Sequence, residues 1–531
     1  MNVNARLAGL CSASLLLSPL AQAQVLPSHQ TQDPFYQQAQ TRMAFQLDRR
    51  AATSARNVIL FIGDGMGVST LTAARILKGQ IDGGSGEEYE LSFEKFPYSA
   101  FSKTYSANQQ TPDSAPTATA MVTGVKTNDG ILGLDSNAVR GDCRSSFGNE
   151  LVTALELAEI RGQSTGVVST ARITHATPAA MYAKSVERDW EDDSDMPKEA
   201  IAEGCKDIAD QLVNFESALE SRFANIDVDG IEVVMGGGRR HFLPKDAAFN
   251  SGDEVSAIEG DCTDGRDLVA EWQDRYPDGV YVKDWAGFAA ADPAQVNRLF
   301  GLFNESHMQY AADRTNDRLG EPSLATMTSK AIDILSKNPR GYFLMVEAGR
   351  IDHGHHAGNA YGALQDTIEL ARAVQNAVDK TSAEDTLIIV TADHSHVFTI
   401  AGYPKRGNPI LGKVVQPGAT EPTLAADGMP YTTVGYNNGI GFRDLGQETD
   451  SDAVYEDNGG RPDPGRKNIA GLDTTAPGFH QETLVPLSSE THAGEDVSIH
   501  ARGPGAHLIS GVMEQSAIFN VIQRATGLIA D

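Results

Sequence analysis

Five short apolar runs mark strand-like segments in the first 400 residues of the chain. They lie at 57–63, 165–170, 232–237, 341–349 and 386–393 and are rich in Val, Ile, Leu and Phe. Their apolarity is continuous rather than alternating, which is typical of strands buried on both faces. Helix-like stretches at 149–162 and 323–338 lie between them. The pattern predicts an α/β fold with a large, mostly parallel central sheet sandwiched by helices.

The composition and periodicity of the sequence change between residues 401 and 490. Gly, Pro, Asn and Asp dominate there, and neither helical nor strand periodicity is clear. We interpret 401–490 as a smaller, loop-rich insertion into a core formed by 24–400 and 491–531.

The first 23 residues have the pattern of a secretory signal peptide. Arg6 provides a positive start, 7–20 are largely apolar, and the small residues Ala21 and Ala23 frame a cleavage site. We therefore expect cleavage after about Ala23 and a periplasmic or secreted protein. The apolar run is too short to span a bilayer and the C-terminus carries no lipid-anchor signal, so we expect no membrane anchor.

The chain is strongly acidic, since 71 Asp and Glu against 43 Lys and Arg give a formal charge of −28. Such a surface repels nucleic acid, so we expect no nucleic-acid binding, but it is compatible with bound divalent cations or a salty habitat. Loss of Cys11 with the signal peptide leaves Cys143, Cys205 and Cys262. Export permits disulfides, and both one pair with a free thiol and no pair at all agree with the sequence.

Polar residues follow four of the five apolar runs almost at once. They are Asp64, Arg172 with His175, Glu347, and Asp393 with His394. Ligands of open α/β sheets bind at the carboxyl ends of strands, so these distant segments can meet in one place. Asp352 and His356 share one face of a helical turn, and His492 adds another imidazole. Each segment alone also fits a polar loop, but Asp and His without Cys favour catalytic Zn²⁺ and Mg²⁺.

A different chemistry is indicated by residues 111–124. Ser114 precedes a helix-forming run, with Pro116 in the first turn, and a helix N-terminus favours anions such as phosphate. The alternative is that Ser114 merely caps the helix. A nearby metal would let its hydroxyl ionise and attack. Arg188 can grip two phosphate oxygens, although most arginines are surface residues. Together these features favour phosphoryl transfer.

Five motifs in this order, FIGDGMG, DSAPTATA, VEAGRIDHGHH, TADHSHVF and ETHAGEDV, resemble the alkaline phosphatase family. The resemblance runs from about Arg56 to the C-terminal region and is closer to animal-type members. It implies a phosphomonoester hydrolase with Ser114 forming a phosphoserine intermediate and Arg188 clamping the phosphate. It implies two Zn²⁺ and one Mg²⁺ per subunit. The ligands would be Asp352, His356 and His492 for one zinc, Asp64, Asp393 and His394 for the second, and Asp64, Thr177 and Glu347 for magnesium.

The resemblance also implies a homodimer, with 401–490 as a crown-like lobe, Tyr403 at the subunit contact and a Cys143–Cys205 disulfide. Three further histidines are expected beside the ligands, where they would tune metal affinity and the pH profile; they are His175, His353 and His396. Two departures stand out. Pro116 replaces a glycine of many members and removes an N–H, which weakens phosphate contacts there. Asn304 follows Phe303 where the calcium site of animal members has an acid, so a calcium site is not part of what the resemblance implies here.

Two other functions are compatible with the sequence. One is a phosphodiesterase or sulfatase of the same metalloenzyme superfamily, although Ser114 lacks the pattern that surrounds a sulfatase nucleophile. The other is a non-catalytic, exported metal-binding protein, which leaves Ser114 and Arg188 unexplained. The sequence favours the monoesterase.

Overall fold

The computed structural model describes residues 54–223 and 225–527, so the predicted signal peptide lies outside the described residues. The strands are β1 (Asn57–Gly63), β2 (Tyr98–Lys103), β3 (Ser164–Arg172), β4 (Val233–Gly237), β5 (Val280–Val282), β6 (Leu299–Leu302), β7 (Tyr342–Ala348), β8 (Thr386–Ala392), β9 (Ser395–His396), β10 (Phe398–Ile400), β11 (Val434–Tyr436), β12 (Asn438–Gly439), β13 (Arg443–Asp444), β14 (Phe479–His480), β15 (Val485–Pro486), β16 (His492–Ala493), β17 (Val497–Arg502) and β18 (Val512–Glu514).

The α-helices are α1 (Val68–Ile81), α2 (Ser114–Thr123), α3 (Ala154–Ile160), α4 (Ala176–Ala179), α5 (Lys198–Glu203), α6 (Ile208–Val213), α7 (Phe215–Arg222), α8 (Leu268–Arg275), α9 (Trp285–Ala290), α10 (Leu324–Leu335), α11 (Arg350–His356), α12 (Ala360–Lys380), α13 (Ala453–Glu456) and α14 (Ala517–Thr526). Short 3₁₀ turns connect several of them. Within the described ranges, no helix combines the length and the apolarity required to cross a membrane.

Ten strands form the central sheet in the order β18-β2-β17-β8-β1-β7-β3-β4-β6-β5. All run in the same direction except β17, which is antiparallel to its neighbours β2 and β8. The five apolar runs are β8, β1, β7, β3 and β4, which lie side by side in the middle of the sheet. The predicted α/β fold with a mostly parallel sheet is therefore confirmed.

Strand β1 illustrates why continuous apolarity indicates a central strand. All seven of its residues are buried. Val58, Leu60 and Ile62 pack in the core that includes helices α2, α3 and α14. Ile59 and Phe61 pack in the opposite core, with α1, α10 and α12. Helices thus cover both faces of the sheet, and no face of β1 contacts water.

No apolar run indicates β2 or β17, which lie towards one edge of the sheet. Buried and half-buried residues alternate along β17. In β2, Ala100 and Ser102 are buried and the residues between and beside them are not. Alternation of this kind belongs to strands with one solvated face, and it is a weaker signal than a continuous run.

The two predicted helices are present but shorter than their sequence patterns. Helix α3 starts only after Thr153, whose hydroxyl accepts from the Glu156 N–H while the Glu156 carboxylate accepts from the Thr153 N–H. Helix α10 starts after Ser323, whose hydroxyl accepts from the Thr326 N–H. Each cap satisfies orphan N–H groups and fixes where the helix begins.

Residues 401–490 contain strands of two or three residues and the single-turn helix α13. Part of this region supports helix α11. His480 Nδ1 lies 2.8 Å from the Ala357 carbonyl, and Asp452 forms a 2.8 Å ion pair with Arg350. The limits of the insertion, 401 and 490, stay a prediction.

Cys143 and Cys205 form a disulfide, the pair that the resemblance implies, and Cys262 is a buried free thiol. The bridge closes a segment with a sequence separation of 62 residues, which contains β3 and the residues up to and beyond Arg188. A cross-link of this length reduces the conformational freedom of the unfolded chain.

Replacing both Cys143 and Cys205 with serine should lower the free energy of unfolding by about 2–5 kcal/mol, because the unfolded chain regains that freedom. Thermal melting of the mature protein measures the loss. The matched control is Cys262→Ser, in which the new hydroxyl can still donate to the His241 carbonyl 3.3 Å away. Equal melting temperatures for the double variant and the wild type would contradict a structural role for the bridge.

Candidate metal and phosphate site

Acidic side chains meet at the carboxyl ends of three neighbouring strands. Glu347 is the penultimate residue of β7, Asp64 follows β1 and Asp393 follows β8. The parallel register pairs the last residue of β1 with the last residues of β7 and β8, so the three strand ends are level. The sheet therefore brings together three carboxyl groups that are far apart in sequence, where open α/β sheets bind ligands.

The turn after β1 depends on Gly65. Its φ of +66° is left-handed, and its N–H donates to Asp393 Oδ1 at 3.0 Å. A β-carbon at this position would lie 2.3 Å from His396 Nε2. Only glycine allows this close approach, which explains the glycines around Asp64.

The first group of candidate ligands is built on helix α11. Asp352 and His356 lie one helical turn apart, as their spacing predicts, and His492 joins them from β16. The Nε2 atoms of His356 and His492 lie 3.3 and 3.4 Å from Asp352 Oδ1 and 3.1 Å from each other. The structure thus places together the three residues that the resemblance assigns to one zinc.

The ring protons of these two histidines point away from the group. His356 Nδ1 lies 2.6 Å from the Glu490 carbonyl oxygen, and His492 Nδ1 lies 2.7 Å from that of Pro112. A carbonyl can only accept, so each Nδ1 carries a proton, and in the neutral ring each Nε2 presents a lone pair. Two lone pairs 3.1 Å apart repel, whereas a cation would bind both. This orientation is the one that metal-binding histidines adopt.

His396 touches this group in a different way. Its Nε2 lies 2.8 Å from Asp352 Oδ1 and its Nδ1 lies 2.5 Å from Glu490 Oε2. Burial opposes protonation, but Glu490 and Asp352 together raise the pKa of His396 to about 10. Because both ring nitrogens donate to carboxylates, His396 holds Asp352 in place rather than offering a lone pair, as expected for a residue beside the ligands.

The second group lies directly against Ser114. Asp64, Asp393 and His394 are fully buried, and His394 Nε2 lies 3.3 Å from Asp64 Oδ1 and 3.2 Å from Asp393 Oδ2. Ser114 Oγ lies 3.0 Å from the same Nε2 and 3.4 Å from Asp64 Oδ1. The rings of His394 and His492 stack with centroids 3.5 Å apart, so the first two groups adjoin.

The third group shares Asp64 with the second and adds Glu347 and His175. The Ser169 hydroxyl donates to Glu347 Oε2. Thr177 lies close enough to lower the pKa of Glu347, although its buried hydroxyl lacks a hydrogen bond of ordinary geometry. The sequence predicts His175 beside the ligands, and the structure places its ring within ligand distance of them.

Several buried polar atoms around the second and third groups have no hydrogen-bond partner among the described residues. They are Asp64 Oδ2, Asp393 Oδ2, Glu347 Oε1, Thr177 Oγ1 and His175 Nδ1. Each such orphan costs about 1–3 kcal/mol when no partner compensates for lost water. Three of these atoms are carboxylate oxygens that face one another without donors, and such oxygens are suited to Zn²⁺ and Mg²⁺. The residues present therefore fit divalent cations.

Crowding of the carboxyl groups shifts their titration. Burial, followed by Asp393, Asp352 and Glu347, raises the pKa of Asp64 well above its ordinary value. Burial likewise raises the pKa of Glu347 to about 7, although the hydrogen bond from Ser169 opposes the shift. Cations bound here would reverse these shifts, because they favour the ionised carboxylates.

Ser114 is the first residue of helix α2, and Asp113 is its cap, accepting from the Ala115 N–H at 3.0 Å. The alternative that Ser114 caps the helix is therefore wrong. Arg188 forms an ion pair with Asp113, and its Nη2 lies 3.0 Å from His175 Nε2. Burial alone would raise the pKa of Asp113, but Arg188 and two backbone N–H groups lower it to about 2.

Four supporting residues do not follow from the sequence patterns: Asp113, Ser169, Glu490 and His307. Asp113 and Glu490 stand inside the motifs DSAPTATA and ETHAGEDV, so adjacency to a predicted residue is a usable signal for them. Ser169 and His307 carry no such signal. The His307 ring packs 4.1 Å from that of His353, and both lie near His175.

Three groups of cation ligands, a serine against one of them and an arginine beside that serine define a metal-dependent phosphoryl-transfer hydrolase. Residues 55–528 match the family model described as alkaline phosphatase. The chain belongs to the alkaline phosphatase family, as its motifs predict. Its membership makes it a metal-dependent phosphomonoester hydrolase.

Similar proteins include two vertebrate enzymes named alkaline phosphatase, tissue-nonspecific isozyme. The one from Gallus gallus is 44% identical over 95% of this chain and 91% of its own length, and the one from Homo sapiens is 43% identical over 93% and 88%. An alkaline phosphatase of Gadus morhua is 43% identical over 90% of this chain and 92% of its own. These relatives agree with the animal-type resemblance.

The crystal structure of Thermus thermophilus alkaline phosphatase has the same fold, with a TM-score of 0.60. It is 22% identical to this chain and covers 95% of it and 96% of its own chain. A cold-active alkaline phosphatase of Shewanella sp. gives a TM-score of 0.56 at 22% identity, over 88% and 98%.

Glu347→Gln should shift stability in opposite directions without and with metal. The raised pKa of Glu347 means that stability is lost as pH rises from about 4.5 towards 7, so at pH 8 the metal-free protein carries the full penalty. Removing that charge should stabilise the metal-free protein by up to about 3 kcal/mol. In zinc and magnesium the variant should melt below the wild type, because a ligand is lost. Thermal melting with a chelator and with both cations measures the two shifts.

Asp366→Asn is the matched control. Burial raises the pKa of Asp366 to about 7 as well, but this residue lies outside the three groups and accepts from the Ala311 N–H. Asp366→Asn should change the melting temperature in the same direction with the chelator as with both cations. If Glu347→Gln also changes the melting temperature in the same direction in both conditions, Glu347 is not a cation ligand.

Proposed function

We propose that this hydrolase cleaves phosphomonoesters through a phosphoserine on Ser114, releasing an alcohol and then inorganic phosphate. The observation that carries the proposal is the position of Ser114 Oγ, 3.0 Å from His394 Nε2 and within the second group. Cations bound by the three groups would lower the pKa of this hydroxyl and stabilise negative charge on the phosphate and the leaving oxygen.

In the first half of the reaction, Ser114 Oγ attacks phosphorus. The Oγ–P bond forms as the P–O bond to the leaving alcohol breaks. The Ser114 hydroxyl gives its proton to water, and the leaving oxygen takes one up from water, so the alcohol departs neutral. Helix α2 fixes the direction of attack, since Ser114 is its first residue and Asp113 anchors its start. Arg188, 18% exposed in its side chain and adjacent to Asp113, holds two phosphate oxygens.

In the second half, water attacks the phosphoserine from the side that the alcohol has left. The Oγ–P bond breaks, Ser114 recovers its proton and inorganic phosphate departs. The first group lies beside the second through the stacked rings of His394 and His492, so both halves take place at one site. Arg188 keeps its hold on the same phosphate oxygens throughout.

We further propose two Zn²⁺ and one Mg²⁺ per subunit. Imidazole nitrogens and carboxylates of the first and second groups suit zinc. Asp64, Thr177 and Glu347 offer oxygen atoms, which suit magnesium.

A homodimer and export are part of the same proposal. Tyr403 is 87% exposed in the single chain and has a left-handed φ of 57°, and Leu424 and Leu484 of the same 401–490 region are also exposed. Apolar side chains held out of the core in this way favour a surface that a second copy covers. The signal-like pattern at 1–23 and the disulfide support a periplasmic or secreted location.

The function is tested by comparing p-nitrophenyl phosphate with bis(p-nitrophenyl) phosphate as substrates of the mature protein. We expect a preference for the monoester of at least about 100-fold, because the second ester group removes a charge that Arg188 and the cations bind. Chelation should abolish turnover, and zinc plus magnesium should restore it. Preference for the diester would move the protein to the phosphodiesterases, and metal binding without turnover of either would favour the binding-protein alternative.

Ser114→Ala should reduce turnover by about 10⁴-fold or more while zinc remains bound, since the nucleophile is lost and the ligands stay. Metal content by elemental analysis accompanies the kinetics. The control is Ser102→Ala, which removes another buried serine hydroxyl that makes no hydrogen bond. Turnover within tenfold of wild type in Ser114→Ala would exclude Ser114 as the nucleophile.

A further inference from the structure

Arg140 lies among the acidic residues around Arg188. Its Nη1 lies 2.6 Å from Asp129 Oδ2, and its Nε and Nη2 lie 2.8 and 2.7 Å from the two carboxylate oxygens of Glu187. The second contact is the bidentate fork that arginine forms with a carboxylate. Arg140 therefore binds residues from two separate segments, one of which carries Arg188.

The Arg140 guanidinium also lies flat against Gly130. A β-carbon on Gly130, whose φ is +71°, would lie 2.3 Å from Arg140 Nε. The Gly130 N–H donates to Asp113 Oδ2 at 2.6 Å, and its carbonyl accepts from the Arg188 N–H at 2.8 Å. One peptide segment thus joins the cap of the nucleophile helix to the backbone of Arg188, and Arg140 covers it.

Charge gives Arg140 a second effect on Arg188. Glu187 and Asp189 flank Arg188 in sequence, and Asp129 lies next to Asp113. Arg140 pairs with Asp129 and Glu187 and lies 3.8 Å from Asp189. Burial and Asp113 raise the pKa of Asp129, whereas Arg140 lowers it and so favours the ionised carboxylate with which it pairs.

Without Arg140, these carboxylates would be free to compete with a phosphate dianion for the Arg188 guanidinium. Asp189 already lies 3.9 Å from Arg188 Nε. Unpaired acids beside the phosphate would also repel it, because its charge has the same sign. Both effects weaken phosphate binding, and neither touches the nucleophile or the cation ligands.

We propose that Arg140 is a positioning residue for phosphate capture: it fixes the segment that carries Arg188 and neutralises the acids around it. The proposal rests on the role of Arg188 as the phosphate contact. Arg140 itself makes no contact with the three metal groups in the described residues and takes no part in bond making.

Arg140→Gln should raise the inhibition constant of inorganic phosphate about tenfold and lower kcat/KM for p-nitrophenyl phosphate by a similar factor, with kcat changed less than about threefold. Arg140→Lys should fall between this variant and wild type, since it keeps the charge but loses the fork. The measurements are steady-state kinetics and competitive inhibition by phosphate on the metal-loaded protein, with melting temperatures to show that each variant is folded.

Arg144→Gln is the matched control. Arg144 lies four residues further along the same segment and pairs with Glu203, so this variant loses an exposed ion pair without affecting Glu187. Its phosphate inhibition and kcat/KM should equal those of the wild type. If Arg140→Gln behaves like Arg144→Gln, or lowers kcat while the phosphate inhibition constant is unchanged, Arg140 does not position Arg188.

Arg188→Ala separates this proposal from the one on which it depends. If Arg188→Ala weakens phosphate inhibition and Arg140→Gln does not, only the role of Arg140 fails. If Arg188→Ala leaves phosphate inhibition unchanged, the phosphate contact itself is wrong and the role of Arg140 falls with it. Combining Arg140→Gln with Glu187→Gln should restore part of the lost affinity, because the acid that competes for Arg188 is removed with its partner.

Discussion

Repulsion among buried carboxylates and imidazole lone pairs is the constraint on which the rest of this site depends. Asp64, Asp393 and Glu347 converge at level strand ends, and the His356 and His492 Nε2 atoms face each other at 3.1 Å. Such an arrangement opposes folding unless cations compensate for it. A rigid frame must therefore hold it, and the fully buried strands β1, β7 and β8 supply that frame. The cost of the site is distributed over the two cores into which these strands pack.

The same frame explains what the sequence could predict. Continuous apolar runs identify central strands, and a polar residue at the end of such a run lies at the carboxyl end of its strand. The positions of Asp64, Glu347 and Asp393 therefore follow from local pattern. Asp352 and His356 follow from helical spacing, but their meeting with His492 is implied by the family motifs and not by spacing. Contacts that join distant segments are beyond local pattern: the Glu490 carbonyl and His356 are 134 residues apart, and Asp113 and Arg188 are 75 apart. Their pairing is a property of the folded chain.

Arg188, the proposed phosphate contact, is held by polar contacts rather than by the sheet. Helix α2 is anchored at Asp113, Asp113 is tied to Arg188 and to Gly130, and Gly130 returns to the backbone of Arg188. Each member satisfies another, so losing one leaves buried polar groups without partners. The candidate cation ligands Asp64, Glu347 and Asp393 lie at rigid strand ends, whereas Arg188 depends on a closed loop of hydrogen bonds. A residue outside that loop, such as Arg140, can therefore alter phosphate binding without altering the cations.

Pro116 makes phosphate binding depend even more on Arg188 and the cations. A helix N-terminus ordinarily offers several free N–H groups to an anion, but here Pro116 has none and the Ala115 N–H already donates to Asp113. The cap itself places a negative charge, with its pKa lowered to about 2, at the end where the phosphate is expected. Helix α2 therefore directs Ser114 but contributes little positive potential. Attraction of the phosphate falls to the cations and to Arg188, which must offset Asp113 first. The charge of Arg188 is offset by Asp113 alone. The neighbouring acids Asp129 and Glu187 therefore require a second cation, and Arg140 is the arginine that pairs with them.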